Sequence, residues 1–370
     1  MNINGAKLKA PIVFQKEVVK HLSLGLYRNF ALAIKEIISN SYDAGATEVK
    51  LKLDLEKRRI ILRDNGMGMN EEEFKNEYLH IGFRTEPSKN VDDLGRMRIG
   101  TFGIGFLAPL PYCKTLRIIT KKKNQKYTID GEILAEKLFK KGNWDIKDMD
   151  VEYRKYESDL PLKDGETIII LETIKDQIYN ELKRNINISR SIEGSGYEKF
   201  KWTLAQYCPI QFPPDQKDII EFFKVEKRVP MRLFLDGEEL FRNVSQEAQI
   251  IEKNKKTFGV IELRYVIMSP NEPVHPEEMR GFQLRLKDVA IGFPRDFDVT
   301  KLGRVLGKLN MLCGEVHITE GLDNALLVNR DSFHFTQDVA DMYEFFRNRI
   351  TYWNTRLYNL QKMIRKCILL

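Results

Sequence analysis

The sequence predicts an α+β fold in two domains, and three observations predict it. An amphipathic helix ends in Ala44-Gly45-Ala46 and leads straight into alternating strand residues. Beyond it, short β-rich runs recur between charged or glycine-bearing turns. The length, 370 residues, suits two domains that each bury a core, with room for a helical tail.

Residues 14–24 read as a first, loosely amphipathic helix, and residues 28–43 as a second with Asn29 or Tyr27 near its start. In the second helix Ala31, Ile34, Ile37, Ile38 and Tyr42 supply a stripe that packs on a sheet. Glu36 and Asn40 are four residues apart and Asn40 and Asp43 three, so all three project from one face. A carboxylate and an amide one turn apart can position a water and a hard cation. Taken alone, the same pattern also describes an ordinary helix with its polar face toward water.

Strands at 48–55 and 59–63 form a hairpin across Glu56-Lys57-Arg58, and the second delivers Asp64-Asn65-Gly66-Met67-Gly68-Met69. Asn70 is the expected N-cap of a helix reaching about His80, with Glu72 and Glu73 in its first turn. The run from Gly82 to Gly105 is irregular and long for a connection, which points to a lid or a binding loop. A short helical segment at 104–110 is stopped by Pro109 or Pro111. Strands at 114–120 and 125–133 pair around Lys121-Lys122-Lys123-Asn124, followed by a strand at 166–172 and a helix at 176–189. A domain boundary is expected between Ser189 and Phe212, through the glycine- and serine-bearing stretch 191–196 and Pro209. This divides the chain into domains at 1–190 and 210–336 and a C-terminal basic helix at 337–370. The second domain has strand-like runs at 229–236, 257–268 and 281–293, a helix at 298–311 and a strand at 314–319. In the terminal helix the last acidic residue is Glu344. Arg347, Arg349, Arg356, Lys362, Arg365 and Lys366 then suit either the helix dipole or a nucleic-acid or partner surface.

Composition narrows the class. A hydrophobic fraction of 42% with 31% charged residues excludes a disordered chain. The net charge of +7 permits contact with nucleic acid without demanding it. Four cysteines lie far apart with no C-x-x-C pair, as expected for free thiols in a reducing compartment. The five histidines show no zinc-ligand spacing. The first residues, MNINGAKLKAPIVF, hold no apolar run of signal-peptide length, and no stretch approaches about 18 continuous apolar residues. The expectation is a cytoplasmic protein with no membrane partner.

Three features then stand in order: the E-x-x-x-N-x-x-D helix, the strand-terminal D-N-G-M-G and the glycine-rich G-T-F-G-I-G-F. Closely spaced backbone N–H groups before a helix form an anion cradle. An Asp at a strand end beside a glycine turn can accept from an exocyclic amine. Together they describe a nucleotide site, with base held by carboxylate, phosphates by backbone, cation by amide oxygen and water by a second carboxylate.

These motifs resemble those of the GHKL ATPases, the superfamily of Hsp90, the gyrase B subunit, MutL, the MORC proteins and sensor histidine kinases. Glu36, Asn40 and Asp43 resemble its N-box, and Asp64, Gly66, Gly68 and Met69 its adenine-side motif. Gly100, Thr101, Phe102, Gly103, Ile104, Gly105 and Phe106 resemble the Hsp90-type phosphate motif. Gly165-Glu166-Thr167 resembles the later strand whose threonine helps fix the adenine. The resemblance runs over residues 30–172 and implies a Bergerat-type α/β sandwich, a mixed sheet covered by helices, followed by a transducer-like α/β domain. It implies ATP and Mg²⁺ as cofactors. Glu36 would be the general base, Asn40 the Mg²⁺ ligand, Asp43 a support of the helix or of Gly68, and Asp64 and Thr167 the adenine contacts. Residues 82–99 would be the lid, with Lys89 and Arg96 as possible phosphate contacts. In the second domain Asn329-Arg330-Asp331 resembles the Hsp90 loop whose arginine senses the γ-phosphate, with Asp for Glu, and a surface salt bridge is the alternative.

The implied activity is slow ATP hydrolysis that drives lid closure and nucleotide-dependent homodimerisation. A DNA-directed role in repair, chromatin-like control or genome defence fits the basic balance, with DNA or an effector protein as partner. The alternatives are an Hsp90-like chaperone for protein clients and an ATP-binding scaffold without turnover. No dimerisation-helix histidine precedes the ATPase motifs, which argues against a sensor kinase.

Overall fold

The computed structural model describes residues 7–14, 29–81, 93–96, 105–140, 143–144, 149–157, 162–187, 193–225, 228–243, 248–270, 280–286, 288–299, 309–322 and 334–368. They fall into two compact units. One holds residues 1–186, 194–215 and 224–243, the other 187–193, 216–223 and 244–370. No helix among the described residues is long and apolar enough to cross a membrane.

The first unit is built on a ten-stranded mixed sheet. Its strands are β1 (Lys7–Phe14), β2 (Glu48–Asp54), β3 (Arg59–Asp64), β4 (His80–Ile81), β5 (Thr115–Thr120) and β6 (Tyr127–Leu134). They are joined by β7 (Met149–Glu157), β8 (Thr167–Glu172), β9 (Arg232–Leu235) and β10 (Glu238–Leu240). The spatial order is β10-β9-β2-β3-β8-β5-β6-β7-β1-β4. Among the described residues, the β9–β2 and β1–β4 pairs of this sheet are parallel and the others antiparallel. The expected hairpin is β2–β3, in register Leu51↔Leu62, and the alternating burial of both strands shows one face packed under helices.

Helix α1 (Phe30–Asp43) lies at the centre of this packing. Asn29 caps it, its side-chain oxygen accepting from the N–H groups of Ala31 at 2.8 Å and Leu32 at 3.4 Å. The hairpin and this cap follow from local chemistry, and both match the reading of the sequence.

Other expectations change. Lys7–Phe14, where the sequence reading placed no strand, is a strand paired antiparallel with β7 and, at Val13 and Phe14, parallel with β4. The helix expected at 14–24 lies outside the described residues past Phe14. Asn70 does cap, in a reciprocal capping box with Glu73, but the α-helical part is only Glu71–Glu73 before a π-turn at Phe74–Tyr78. The 176–189 helix, α2, ends at Lys183. The stretch read as a boundary holds α3 (Gly196–Tyr207). Its serine and glycines are a helix start, not a linker, because Ser195 and Glu198 form a second capping box. Phe200 of α3 stacks on Phe30 of α1 at 5.7 Å, which ties the segment to the first unit. Residues read as the first strand of the second domain, 229–236, contribute β9 to the first sheet through parallel pairing with β2.

The second unit has a five-stranded sheet of β11 (Gln249–Phe258), β12 (Ile261–Ser269), β13 (Gly281–Leu286), β14 (Val289–Ala290) and β15 (Cys313–Glu320). Their order is β11-β12-β15-β13-β14, with β13–β15 parallel. A short helix α4 (Lys217–Phe223) belongs to it, and the long helix α5 (Gln337–Ile368) packs on its sheet. Their shared core includes Leu263, Tyr265, Phe282, Val316, Met342 and Phe346. Of the expected 298–311 helix, residues 300–308 lie outside the described set, and Leu309–Met311 form a 3-10 turn. The basic residues of α5 are partly structural: Arg349 pairs with Glu252 on β11, and Arg347 Nε donates to the Phe297 carbonyl at 3.3 Å.

Candidate functional site

Helix α1 is buried on nearly every side. Between Phe30 and Asp43 only Leu32, Glu36, Asn40 and Asp43 keep accessible surface, at spacings of four, four and three residues. The polar trio that the spacing places on one face is thus the open stripe of an otherwise buried helix. Polar residues on the buried sides are satisfied locally, as where Ser39 Oγ donates to the Lys35 carbonyl at 2.9 Å.

Glu36 does not stand alone. Lys35 is buried, and its Nζ lies 2.6 Å from Glu36 Oε1, with side-chain exposures of 8% and 12%. A buried ammonium needs a counter-charge, so the pair holds the carboxylate in one orientation. Asn40 is held from the other side. A Cβ on Gly105 would fall 2.8 Å from both amide atoms of Asn40, so only glycine lets this backbone press against the amide. Gly105 opens a 3-10 turn, Gly105–Leu107, in which Phe106 is buried.

Asp64 ends β3 and is 4% exposed. Its Oδ2 accepts from Ser41 Oγ at 2.8 Å and its Oδ1 from the Gly66 N–H at 3.0 Å. Burial raises its pKa to about 6, the nearby charge of Glu166 adding to the rise while the bonds from Gly66 and Ser41 oppose it. Both bonds come from neutral donors, and a carboxylate has about four acceptor positions, so capacity remains for another N–H. Gly66 is needed here because a Cβ would lie 2.7 Å from the Ala44 carbonyl, while Gly68 takes a φ of +60°.

Pairing of β3 with β8 sets Thr167 opposite Asp64. The Thr167 hydroxyl meets that of Thr120 at 2.9 Å, and Thr120 Oγ1 accepts from the Met69 N–H at 3.0 Å. Asp64, Thr167, Thr120 and Met69 therefore form one connected polar edge. Glu166, beside it, is committed to Arg63 and to the Lys163 N–H, and these bonds hold its pKa below the ordinary value against the cost of burial.

Glu36, Asn40, Asp43, Asp64, Gly66, Gly68, Met69, Gly105, Phe106 and Thr167 all lie among the described residues of the first unit, where contacts join Gly105 to Asn40, Gly66 to Asp64, and Met69 through Thr120 to Thr167. Lys89, Gly100, Thr101, Phe102, Gly103, Ile104 and Arg330 lie outside the described residues. Arg96 has a different place from the one expected. It is 2% exposed, donates to the carbonyls of Ala46 at 2.6 Å and Val229 at 2.7 Å, and lies over the Tyr42 ring. It anchors backbone, with its charge turned inward. Sequence reasoning missed Lys35, Ser41 and Thr120. Lys35 was legible as a charge on the apolar side of α1, whereas Ser41 and Thr120 carry no signal until strand register is known.

Among the described residues no three His, Cys, Asp or Glu side chains are grouped to hold a metal ion. One hard amide oxygen, from Asn40, fits Mg²⁺, which keeps several waters and takes its other ligands from phosphates.

Residues 27–164 match the family of histidine kinase-, DNA gyrase B-, and HSP90-like ATPases. The chaperone protein HtpG of Orientia tsutsugamushi is 29% identical over 323 residues, 75% of this chain and 46% of that protein. HtpG of Rickettsia typhi is 30% identical over 152 residues, 33% of this chain and 24% of its own length. HgiDII of Herpetosiphon aurantiacus, named as a candidate type II restriction enzyme, is 35% identical over 95 residues, 26% of this chain and 15% of that protein. The chain thus spans less than half the length of each of these relatives.

Proposed function

We propose, for a chain whose residues 27–164 belong to the histidine kinase-, DNA gyrase B-, and HSP90-like ATPases, that the first unit binds and slowly hydrolyses ATP to drive a conformational switch. The family match supports ATP binding. The observation that carries the reading is the open stripe of α1, which presents Glu36 and Asn40 beside the buried acceptor Asp64.

Asp64 takes the adenine amino group, aided by Thr167 through its hydroxyl chain to Met69. Asn40 holds Mg²⁺, which neutralises phosphate charge when bound. Glu36 accepts the proton of the attacking water, and Lys35 keeps it pointed. Backbone N–H groups of Gly100, Gly103 and Gly105 receive the phosphates, with Lys89 as a lid contact. Arg330 reports the γ-phosphate from the second unit, and nucleotide-dependent pairing of two chains is the output of closure.

The switch acts on DNA in this reading. The likeness to HgiDII and the net charge of +7 support it. A second reading, action on protein clients, is supported by the HtpG likeness, which extends over 75% of the chain. ATP turnover measured with and without duplex DNA separates them: stimulation that falls steeply with salt favours DNA, and none, with suppression of client aggregation, favours the chaperone. The catalytic assignment has its own test. Glu36→Ala is expected to bind ATP normally and to lose at least about a hundredfold in turnover; wild-type turnover in this variant sinks the general-base role.

A further inference from the structure

The nucleotide reading leaves one polar group of the first unit unused. Tyr78 closes the π-turn Phe74–Tyr78, in which the Leu79 N–H reaches back to the Phe74 carbonyl at 3.1 Å. Such turns occur frequently at functional sites. The Tyr78 ring retains some accessible surface, yet its hydroxyl is buried and has no hydrogen-bond partner among the described residues. Native proteins rarely leave a buried hydroxyl unsatisfied, so something else is expected to complete it.

Its surroundings say where the hydroxyl stands. The ring stacks on Phe106 at 4.6 Å, and Phe106 follows the Gly105 backbone that presses on Asn40. Burial, with a smaller contribution from the charge of Asp64, raises the Tyr78 pKa well above the ordinary value, so the group stays a protonated donor. Tyr78 therefore borders the same site as Asn40 and Asp64 while bonding to neither.

We propose that Tyr78 contacts the base of the nucleotide, its hydroxyl donating to a ring nitrogen of the adenine whose amino group faces Asp64. The proposal rests on the nucleotide reading of Asp64. Adenine sets an amino donor beside ring-nitrogen acceptors, at N1 and at N7. A carboxylate and a phenol bordering one site supply the matching acceptor and donor. Guanine offers a carbonyl oxygen where adenine has its amino group, and so turns an acceptor toward Asp64. The pair thus reads adenine by both partners, and Tyr78 is a specificity-determining residue.

The test uses the full chain, with binding of ATP, 1-deaza-ATP and 7-deaza-ATP measured by calorimetry, and Tm without nucleotide, for wild type and Tyr78→Phe. The variant is expected to bind ATP about tenfold more weakly, a difference of about 1.4 kcal/mol. Its nucleotide-free Tm is expected to be equal or higher, because an unsatisfied hydroxyl has gone. One deaza analogue is expected to lose a similar factor on wild type and no further factor on Tyr78→Phe. Unchanged ATP affinity overturns the proposal. So does a lower nucleotide-free Tm together with weaker binding, which marks a packing role, or losses from analogue and variant that simply add. Failure of the wild type itself to bind ATP rejects the nucleotide reading at an earlier step, and this inference with it.

Discussion

Each unit buries a carboxylate next to a central strand, and the two are satisfied in opposite ways. In the second unit Glu315 is held by a cation: Arg285, 0% exposed, donates through Nε at 2.6 Å and a terminal nitrogen at 3.2 Å. His317 adds Nε2 at 3.0 Å and stacks on Phe223 at 3.8 Å. In the first unit Asp64, equally buried, takes its bonds from a serine hydroxyl and a backbone N–H. The lesson is that burial alone does not mark a functional acid. A buried carboxylate paired with arginine has its charge neutralised and its lone pairs used, so it serves architecture. One given only neutral donors keeps an uncompensated cost and spare acceptor capacity, which a ligand can use.

The largest expected effect breaks the paired side of this contrast. Arg285→Ala leaves Glu315 buried without its cation and is expected to cost about 3–5 kcal/mol of second-unit stability in denaturant unfolding. If the midpoint barely moves, Glu315 is not held as described. Next comes the neutral-donor side. Asp64→Asn keeps the shape, replaces a charged acceptor and turns an NH₂ or a weaker carbonyl toward the base. ATP affinity is then expected to fall roughly ten- to a hundredfold by calorimetry, the scale of a hydrogen bond to a charged group. Retained affinity means that the base is not read by Asp64.

A third effect follows Asp64 through pH. Asp64 titrates at about 6 in the fold against about 3.9 when unfolded, so the native state holds the proton more tightly. Stability linked to this group is full below about pH 4 and is lost as pH rises through about 6, amounting to about 3 kcal/mol at neutrality. An amino donor prefers the ionised form, so ATP affinity runs the other way and weakens by up to about tenfold per unit below pH 6. Wild type minus Asp64→Asn isolates both slopes, in unfolding and in binding titrations. Flat difference curves between pH 4 and 7 remove Asp64 as the titrating acceptor.

Much of the site was legible before any coordinates. The Glu36, Asn40, Asp43 stripe follows from helical spacing, the Asn29 and Asn70 caps from their side chains, and the Asp64-to-Met69 turn from glycine placement. What misled was equally local. Ser195 and its glycines read as part of a domain boundary because a capping box uses the same residue types as a loop. Arg96 reads as a phosphate contact because a sequence does not say which way a charge points.

The sequence by itself determined the helix α1 and its polar stripe, the β2–β3 hairpin and the tight glycine turn after Asp64. These depend on periodicity, capping and backbone freedom over a few residues, and they act wherever the segment lies. Only the tertiary structure decided that Ser41 would donate to Asp64 and that Thr167 would lie opposite it. It also set Lys35 against Glu36, ran β9 beside β2 and closed a π-turn that leaves the Tyr78 hydroxyl unmatched. Those outcomes depend on strand register and on which faces are excluded from water, and distant segments settle both by packing together.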